Sequence, residues 1–189
     1  KTTLVNLITR FYDAAEGRVL VDGADVNTLR LETLRAQVGV VPQKAVLFKG
    51  TIRQNLLWGK GDASDEALWD ALNTAQAREV VKDKAGELDA EVQQGGSNFS
   101  GGQRQLVLIA RTLCQQPDVI LFDEPTSHLD FKNQAIVMKT LQKLSDKGMT
   151  IVMTSHFPSH AWQVGTKVVL MGRKGIIAQG TPEEIMTED

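Results

Sequence analysis

Two apolar patterns take turns along the chain. Short runs dominated by apolar residues, Val38-Gly-Val-Val41, Val119-Ile-Leu-Phe122, Met149-Thr-Ile-Val-Met-Thr154 and Lys167-Val-Val-Leu-Met171, read as strands buried on both faces. Between them lie segments with apolar positions at helical spacing. Residues 2–10 carry Leu4, Val5, Leu7 and Ile8, and residues 65–75 carry Leu68, Trp69 and Leu72. Residues 132–147 carry Ile136, Val137, Leu141 and Leu144 on one face. Gly17-Arg-Val-Leu-Val-Asp-Gly23 reads as a short strand bounded by glycines, and Gly175-Ile-Ile-Ala178 as a closing one. Pro42 stops the strand before it. Buried strands alternating with helices predict an α/β fold with a mostly parallel sheet. The polar, mostly helical stretch from about 43 to 114 breaks that alternation and reads as an inserted helical subdomain. It leaves a core of residues 1–42 and 115–189.

Composition narrows the class. Hydrophobic residues at 42% and charged residues at 23% belong to a folded globular chain rather than a disordered one. The formal net charge of −2 gives no broad basic field, so nucleic acid is not an expected partner. The single cysteine, Cys114, excludes an internal disulfide and a cysteine metal cluster, and reads as a buried helix residue. No apolar run approaches the roughly 20 residues that span a bilayer.

Three short segments carry chemistry. Lys1-Thr2-Thr3 opens a helix and matches the end of the phosphate-binding pattern G-x-x-x-x-G-K-[ST]. There the lysine reaches the β- and γ-phosphates, a hydroxyl holds Mg²⁺, and the helix N-terminus adds favourable partial charge. Val119-Ile-Leu-Phe-Asp-Glu124 delivers two carboxylates to the carboxyl edge of a sheet, where open α/β folds bind ligands. Asp123 suits Mg²⁺, which takes oxygen ligands, and Glu124 suits a general base aimed at water. Asn98-Phe-Ser-Gly-Gly-Gln-Arg-Gln105 leads into the helix beginning near Leu106 and presents a hydroxyl and backbone N–H groups at its positive end.

The order Lys1-Thr2-Thr3, Pro42-Gln43, Ser100-Gly-Gly-Gln103, Asp123-Glu-Pro-Thr-Ser127, Leu129-Asp130 and Ser155-His156 resembles the ATP-binding cassette ATPases of ABC transporters, across the whole chain. The resemblance implies a P-loop NTPase (RecA-like) fold, ATP as substrate and Mg²⁺ as cofactor. It also implies a second cassette as partner, a transmembrane domain, and a place at the cytoplasmic face of the membrane. By it, Lys1, Thr2 and Thr3 are the end of the Walker A loop, with Thr2 on the metal. Gln43 is the glutamine that senses Mg²⁺ and couples to the membrane domain. Ser100, Gly101, Gly102 and Gln103 are the signature that caps ATP held by the opposite subunit. Asp123 and Glu124 are the Walker B aspartate and the catalytic base, Asp130 is the D-loop aspartate, and His156 is the switch histidine on the γ-phosphate. His128 and His160 match no motif and read as structural or surface residues.

Phe99 stands where the family's signature has leucine, an apolar anchor in either case. The loop glycines, the strand before them and the adenine-stacking aromatic lie outside the sequence. A chain of these residues alone is therefore expected to expose apolar surface and to bind ATP poorly. The stretch from Val41 to Trp58 and the run Gln94-Gly-Gly-Ser-Asn-Phe-Ser-Gly-Gly-Gln103 look like exporter cassettes. Asp123-Glu-Pro-Thr-Ser-His-Leu-Asp-Phe-Lys-Asn-Gln134 and Thr154-Ser-His-Phe-Pro-Ser-His160 look like importer cassettes for iron chelates or cobalamin. The membrane-domain contact falls in the exporter-like half, so export is the leading expectation. An importer subunit and a soluble, non-transport ABC ATPase are the alternatives.

Overall fold

The computed structural model describes residues 2–173 and 175–186, in two compact units that meet in sequence between Thr154 and Ser155. The first unit begins with α1 (Thr2–Ile8), a short hairpin of β1 (Leu20–Val21) and β2 (Ala24–Asp25), α2 (Leu31–Gln37) and β3 (Val38–Val41). It continues through β4 (Gly50–Thr51), α3 (Ile52–Leu57), α4 (Asp65–Thr74), α5 (Arg78–Lys82) and β5 (Glu91–Val92). It closes with α6 (Gly101–Cys114), β6 (Val119–Asp123), α7 (Phe131–Asp146) and β7 (Thr150–Thr154).

Three strands make the parallel sheet, in the order β3-β6-β7. Val38 pairs with Val119 and Val41 with Phe122, while Asp123 pairs with Thr154. The register brings the carboxyl ends of β6 and β7 level, so their last residues face one another across the ladder. Ile120, Leu121 and Phe122 are fully buried, as an uninterrupted apolar run in a central strand requires. Among the described residues β7 pairs with β6 alone, and Val152 is 37% exposed.

Helices fix the ends of this sheet. α1 packs by Val5 into a cluster with Val26, Leu34, Val38 and Leu121. α6 is apolar on a wide face: residues 105–110 are buried throughout, and the helix lies against α3, α4 and β3. Gly39 and Gly59 let it approach, since a β-carbon at Gly39 meets Thr112 Cγ2 at 2.5 Å and one at Gly59 meets the Arg111 carbonyl at 2.1 Å.

The stretch expected as a single strand at 17–23 is instead half of a hairpin. Asp22 and Gly23 both have positive φ, 49° and 77°, and turn β1 back into β2 with Val21 opposite Ala24. An Asp-Gly pair is a strong two-residue turn signal, and it overrides the strand propensity around it.

The second unit holds α8 (Pro158–Val164), β8 (Val168–Gly172), β9 (Gly175–Gly180) and α9 (Pro182–Ile185). β8 and β9 form an antiparallel pair of their own. The apolar run of β8 predicts burial on both faces, but Val169, Leu170 and Met171 are close to half exposed, and Ile176 and Ile177 on β9 are more exposed still. A two-stranded ribbon has too little surface of its own to cover both faces of its side chains.

Candidate functional site

The site forms where β6 ends. Asp123 is 4% exposed, and both of its carboxylate oxygens accept hydrogen bonds. Thr2 Oγ1 donates to Oδ2 at 2.7 Å, tying the start of α1 to a strand end 121 residues away. Thr154 Oγ1 donates to Oδ1, also at 2.7 Å. A strand that stops at the sheet edge presents its last carboxylate to this ring of hydroxyls rather than to the apolar core.

Glu124 follows immediately with φ of +47°, a left-handed conformation that costs a non-glycine residue of the order of 1–3 kcal/mol. Its N–H donates to the Thr154 hydroxyl at 3.0 Å and to the Thr154 carbonyl at 3.2 Å. Its carboxylate oxygen Oε2 accepts from Ser127 Oγ at 2.9 Å and from Gln43 Nε2 at 3.3 Å. Gln43 arrives from the loop after β3, which Pro42 ends. Thr2, Gln43, Asp123 and Glu124, scattered in sequence, are thus drawn to one sheet edge. Thr3 lies beside Thr2 on α1 with its side chain exposed, and Lys1 lies outside the described residues.

Ser100, Gly101, Gly102 and Gln103 start α6. Ser100 is the N-cap, its Oγ accepting from the Gln103 N–H at 3.2 Å while Gln103 Oε1 accepts from the Ser100 N–H at 3.0 Å. That capping box uses a lone pair of the serine and leaves its hydroxyl hydrogen to donate outward. Phe99 is buried beneath, its carbonyl accepting from Arg104 Nη1 at 2.7 Å, and Lys84 Nζ sits 4.4 Å from its ring centroid. Phe99 is therefore an anchor, as leucine would be.

Asp130 caps α7. Its Oδ1 accepts from the Asn133 N–H at 2.9 Å and its Oδ2 from Asn133 Nδ2 at 2.7 Å. Those donors, the backbone one foremost, hold its carboxyl below the usual carboxylate range. Asn133 also touches the other helix start, since a β-carbon on Gly102 would meet Asn133 Oδ1 at 2.0 Å.

His156 opens the second unit, its ring 4.1 Å from that of Phe157 by centroids. His160 is buried there, with Nδ1 2.9 Å from Ser155 Oγ. His128 has φ of +64° in the turn before α7.

Sequence reasoning passes over Thr154 and Ser127. Each is a common hydroxyl residue, and nothing in the local pattern marks a threonine at a strand end. The signal that was available is register: a strand parallel to β6 and ending level with it must place its last side chain beside Asp123.

The oxygen groups gathered at the end of β6 are the Thr2 and Thr154 hydroxyls and the carboxylates of Asp123 and Glu124, with the Gln43 side-chain amide on Glu124. This is a hard set of oxygen ligands, and it fits Mg²⁺. Among the described residues no cluster of three or more His, Cys, Asp or Glu stands ready for a softer metal.

A parallel α/β sheet whose central strand ends in two acids, beside a hydroxyl at a helix start, defines a P-loop nucleotide-binding domain. The chain belongs to the ABC transporter family, whose model matches residues 1–127. It is 36% identical over 186 residues to the uncharacterised ABC transporter ATP-binding protein YwjA of Bacillus subtilis, covering 98% of this chain and 32% of that protein. It is 39% identical over 157 residues to a multidrug resistance ABC transporter ATP-binding and permease protein of Lactococcus lactis, covering 82% of this chain and 26% of that one. Among solved structures, a bacterial Atm1-family ABC exporter with ATP bound matches with a TM-score of 0.88 at 32% identity, over 97% of this chain and 32% of that chain. The chain spans between 26% and 32% of the length of these relatives.

Proposed function

We propose that this domain hydrolyses Mg·ATP to power transport by a membrane protein, in the direction of export. The observation that carries the reading is the edge of β6, where Thr2 and Asp123 are joined at 2.7 Å and Glu124 stands next in the chain, held by Ser127 and Gln43. Thr2, Asp123 and Gln43 are the residues that would hold Mg²⁺. When bound, the ion neutralises charge on the phosphates. Lys1 and Thr3 are the residues that bind phosphate oxygens. Glu124 takes the proton of the attacking water, and His156 keeps the role the family resemblance gives it, a contact to the γ-phosphate. Gln43 donates to Glu124 and so links the base to the segment that follows β3.

A second cassette completes the site, its Ser100 hydroxyl and the N–H groups of Gly101, Gly102 and Gln103 capping the nucleotide, with Asp130 at the same junction. The subdomain reading, a core of 1–42 and 115–189 around a helical 43–114, assigns that cap to the helical part. Export is supported by the names of two relatives, the multidrug resistance protein of Lactococcus lactis and a putative multidrug export protein of Staphylococcus aureus, 34% identical over 190 residues. It is supported also by Phe48 and Trp58, exposed and in contact with ring centroids 4.9 Å apart, in the stretch with exporter character. These aromatics suit a protein surface on a transmembrane partner, and on this reading the domain works at the cytoplasmic face of the membrane. No helix among the described residues is long and apolar enough to cross it.

The test is Glu124→Gln in the complete protein. ATP turnover is expected to disappear while nucleotide binding persists, because the amide keeps the shape and the hydrogen bonds but cannot take a proton. Undiminished turnover refutes the assignment.

A further inference from the structure

We infer that Thr154 is a positioning residue for hydrolysis, its hydroxyl setting the Walker B carboxylate and the backbone of the catalytic glutamate in one arrangement. The inference rests on the reading of Glu124 as the base.

The hydrogen-bond polarity is forced. The Glu124 amide can only donate, so at 3.0 Å the Thr154 oxygen must accept from it. The one hydroxyl hydrogen is then committed to Asp123 Oδ1, 2.7 Å away. One side chain therefore fixes both acids, and it is placed to do so by register, Thr154 being the β7 partner of Asp123.

The second observation is strain. Glu124 sits at φ +47°, where a side-chain-bearing residue persists only if its surroundings hold it. Two bonds from its N–H to Thr154, one to the hydroxyl and one to the carbonyl, hold it from one side. The bond from the Ser127 N–H to the Glu124 carbonyl, 3.0 Å, holds it from the other. The direction of the Glu124 side chain follows from that backbone conformation. Loss of the Thr154 hydroxyl frees Asp123 Oδ1 and weakens the grip on the Glu124 amide together, while nucleotide contacts made by α1 and α6 are untouched.

The experiment compares Thr154→Val, Thr154→Ala and Thr154→Ser in the complete protein, with Glu124→Gln alongside. Valine keeps the branched shape and strand preference but has no hydroxyl; serine restores the hydroxyl. In Val and Ala, kcat for ATP is expected to fall about 10- to 100-fold, the size of a misplaced general base, with KM within about twofold of the parent. Serine is expected to recover most of the loss. Hydrogen–deuterium exchange of the peptide covering 119–127, read without nucleotide, is expected to quicken in Val and Ala and to return toward the parent in Ser. An unchanged kcat in Val and Ala beside a dead Glu124→Gln overturns the role of Thr154 alone. A fall that serine does not reverse, or that leaves the 119–127 exchange unmoved, also overturns it. Turnover surviving in Glu124→Gln overturns the reading of the base, and this inference with it.

Discussion

The side-chain amide of Asn133 occupies the space that a side chain on Gly102 would need: a β-carbon there would lie 2.0 Å from Oδ1 and 2.8 Å from the Asn133 β-carbon. The start of α6 is thereby set against the start of α7, and the same amide donates to Asp130. Glycine at 102 is thus required by packing inside one chain, apart from any contact with nucleotide. Gly102→Ala is expected to destabilise the domain by about 1–3 kcal/mol, the range for overpacking a tight contact. Asn133→Ala is expected to relieve part of that cost, so the double variant is more stable than the sum of the single changes. Denaturant unfolding of the four proteins gives the coupling directly.

Arg53 ties three elements of the helical stretch together. From α3 it pairs Asp89 through Nε at 2.8 Å and Nη2 at 3.2 Å, and Asp65, at the start of α4, through Nη1 and Nη2. Both carboxylates are largely solvent-exposed, so the pairs are screened by salt. Arg53→Lys cannot reproduce a fork that grips two carboxylates. A small fall in Tm is expected at low ionic strength, shrinking in high salt. A fall of equal size in both buffers would show that the arginine acts through its aliphatic stem instead.

His160 gives the second unit a pH dependence. Burial pushes its imidazole below the ordinary 6.5, and the nearby His156 adds to the effect. An unfolded chain then takes up a proton at a pH where the folded histidine stays neutral. Stability is therefore fully present above about pH 6.5 and is lost as the pH falls through the range below it. His160→Phe is expected to flatten the acid side of a plot of Tm against pH. A slope unchanged by the substitution assigns the effect to other groups.

Cys114, near the end of α6, is buried, and burial pushes its thiol up to about 11. Alkylation in the native state at neutral pH is expected to be far slower than in denaturant, since the thiolate is the nucleophile. Above pH 9.0 the unfolded chain releases this proton before the folded one does, so the cysteine's contribution to stability declines between about 9 and 11. Cys114→Ala should remove that alkaline component in a pH series of melting temperatures.

The elements that sequence made legible are those whose burial matches their pattern. Ile120, Leu121 and Phe122 are apolar in a row because β6 is covered on both faces, and the apolar side of α6 is buried where it faces α3, α4 and β3. The same logic misleads at β8, where Val169, Leu170 and Met171 have the run of a central strand but lie in a ribbon of two. Periodicity records what a strand can bury, not what is present to bury it. The hairpin at Asp22-Gly23 was written in the sequence, and the flanking glycines drew attention to a longer strand. The acids of the site were legible as a motif because their types and order are rare in combination. The hydroxyls that orient them, Thr154 and Ser127, were not, because their meaning comes from register and from a backbone turn at Glu124 that no local pattern announces.

The left-handed backbone of Glu124 sets stability against side-chain chemistry at that one position. Its φ of +47° is a conformation that glycine adopts freely and a glutamate only at a cost. Glycine at 124 would relax the turn and delete the carboxylate together, so a search for thermostable variants by melting temperature alone would select a protein without its acid.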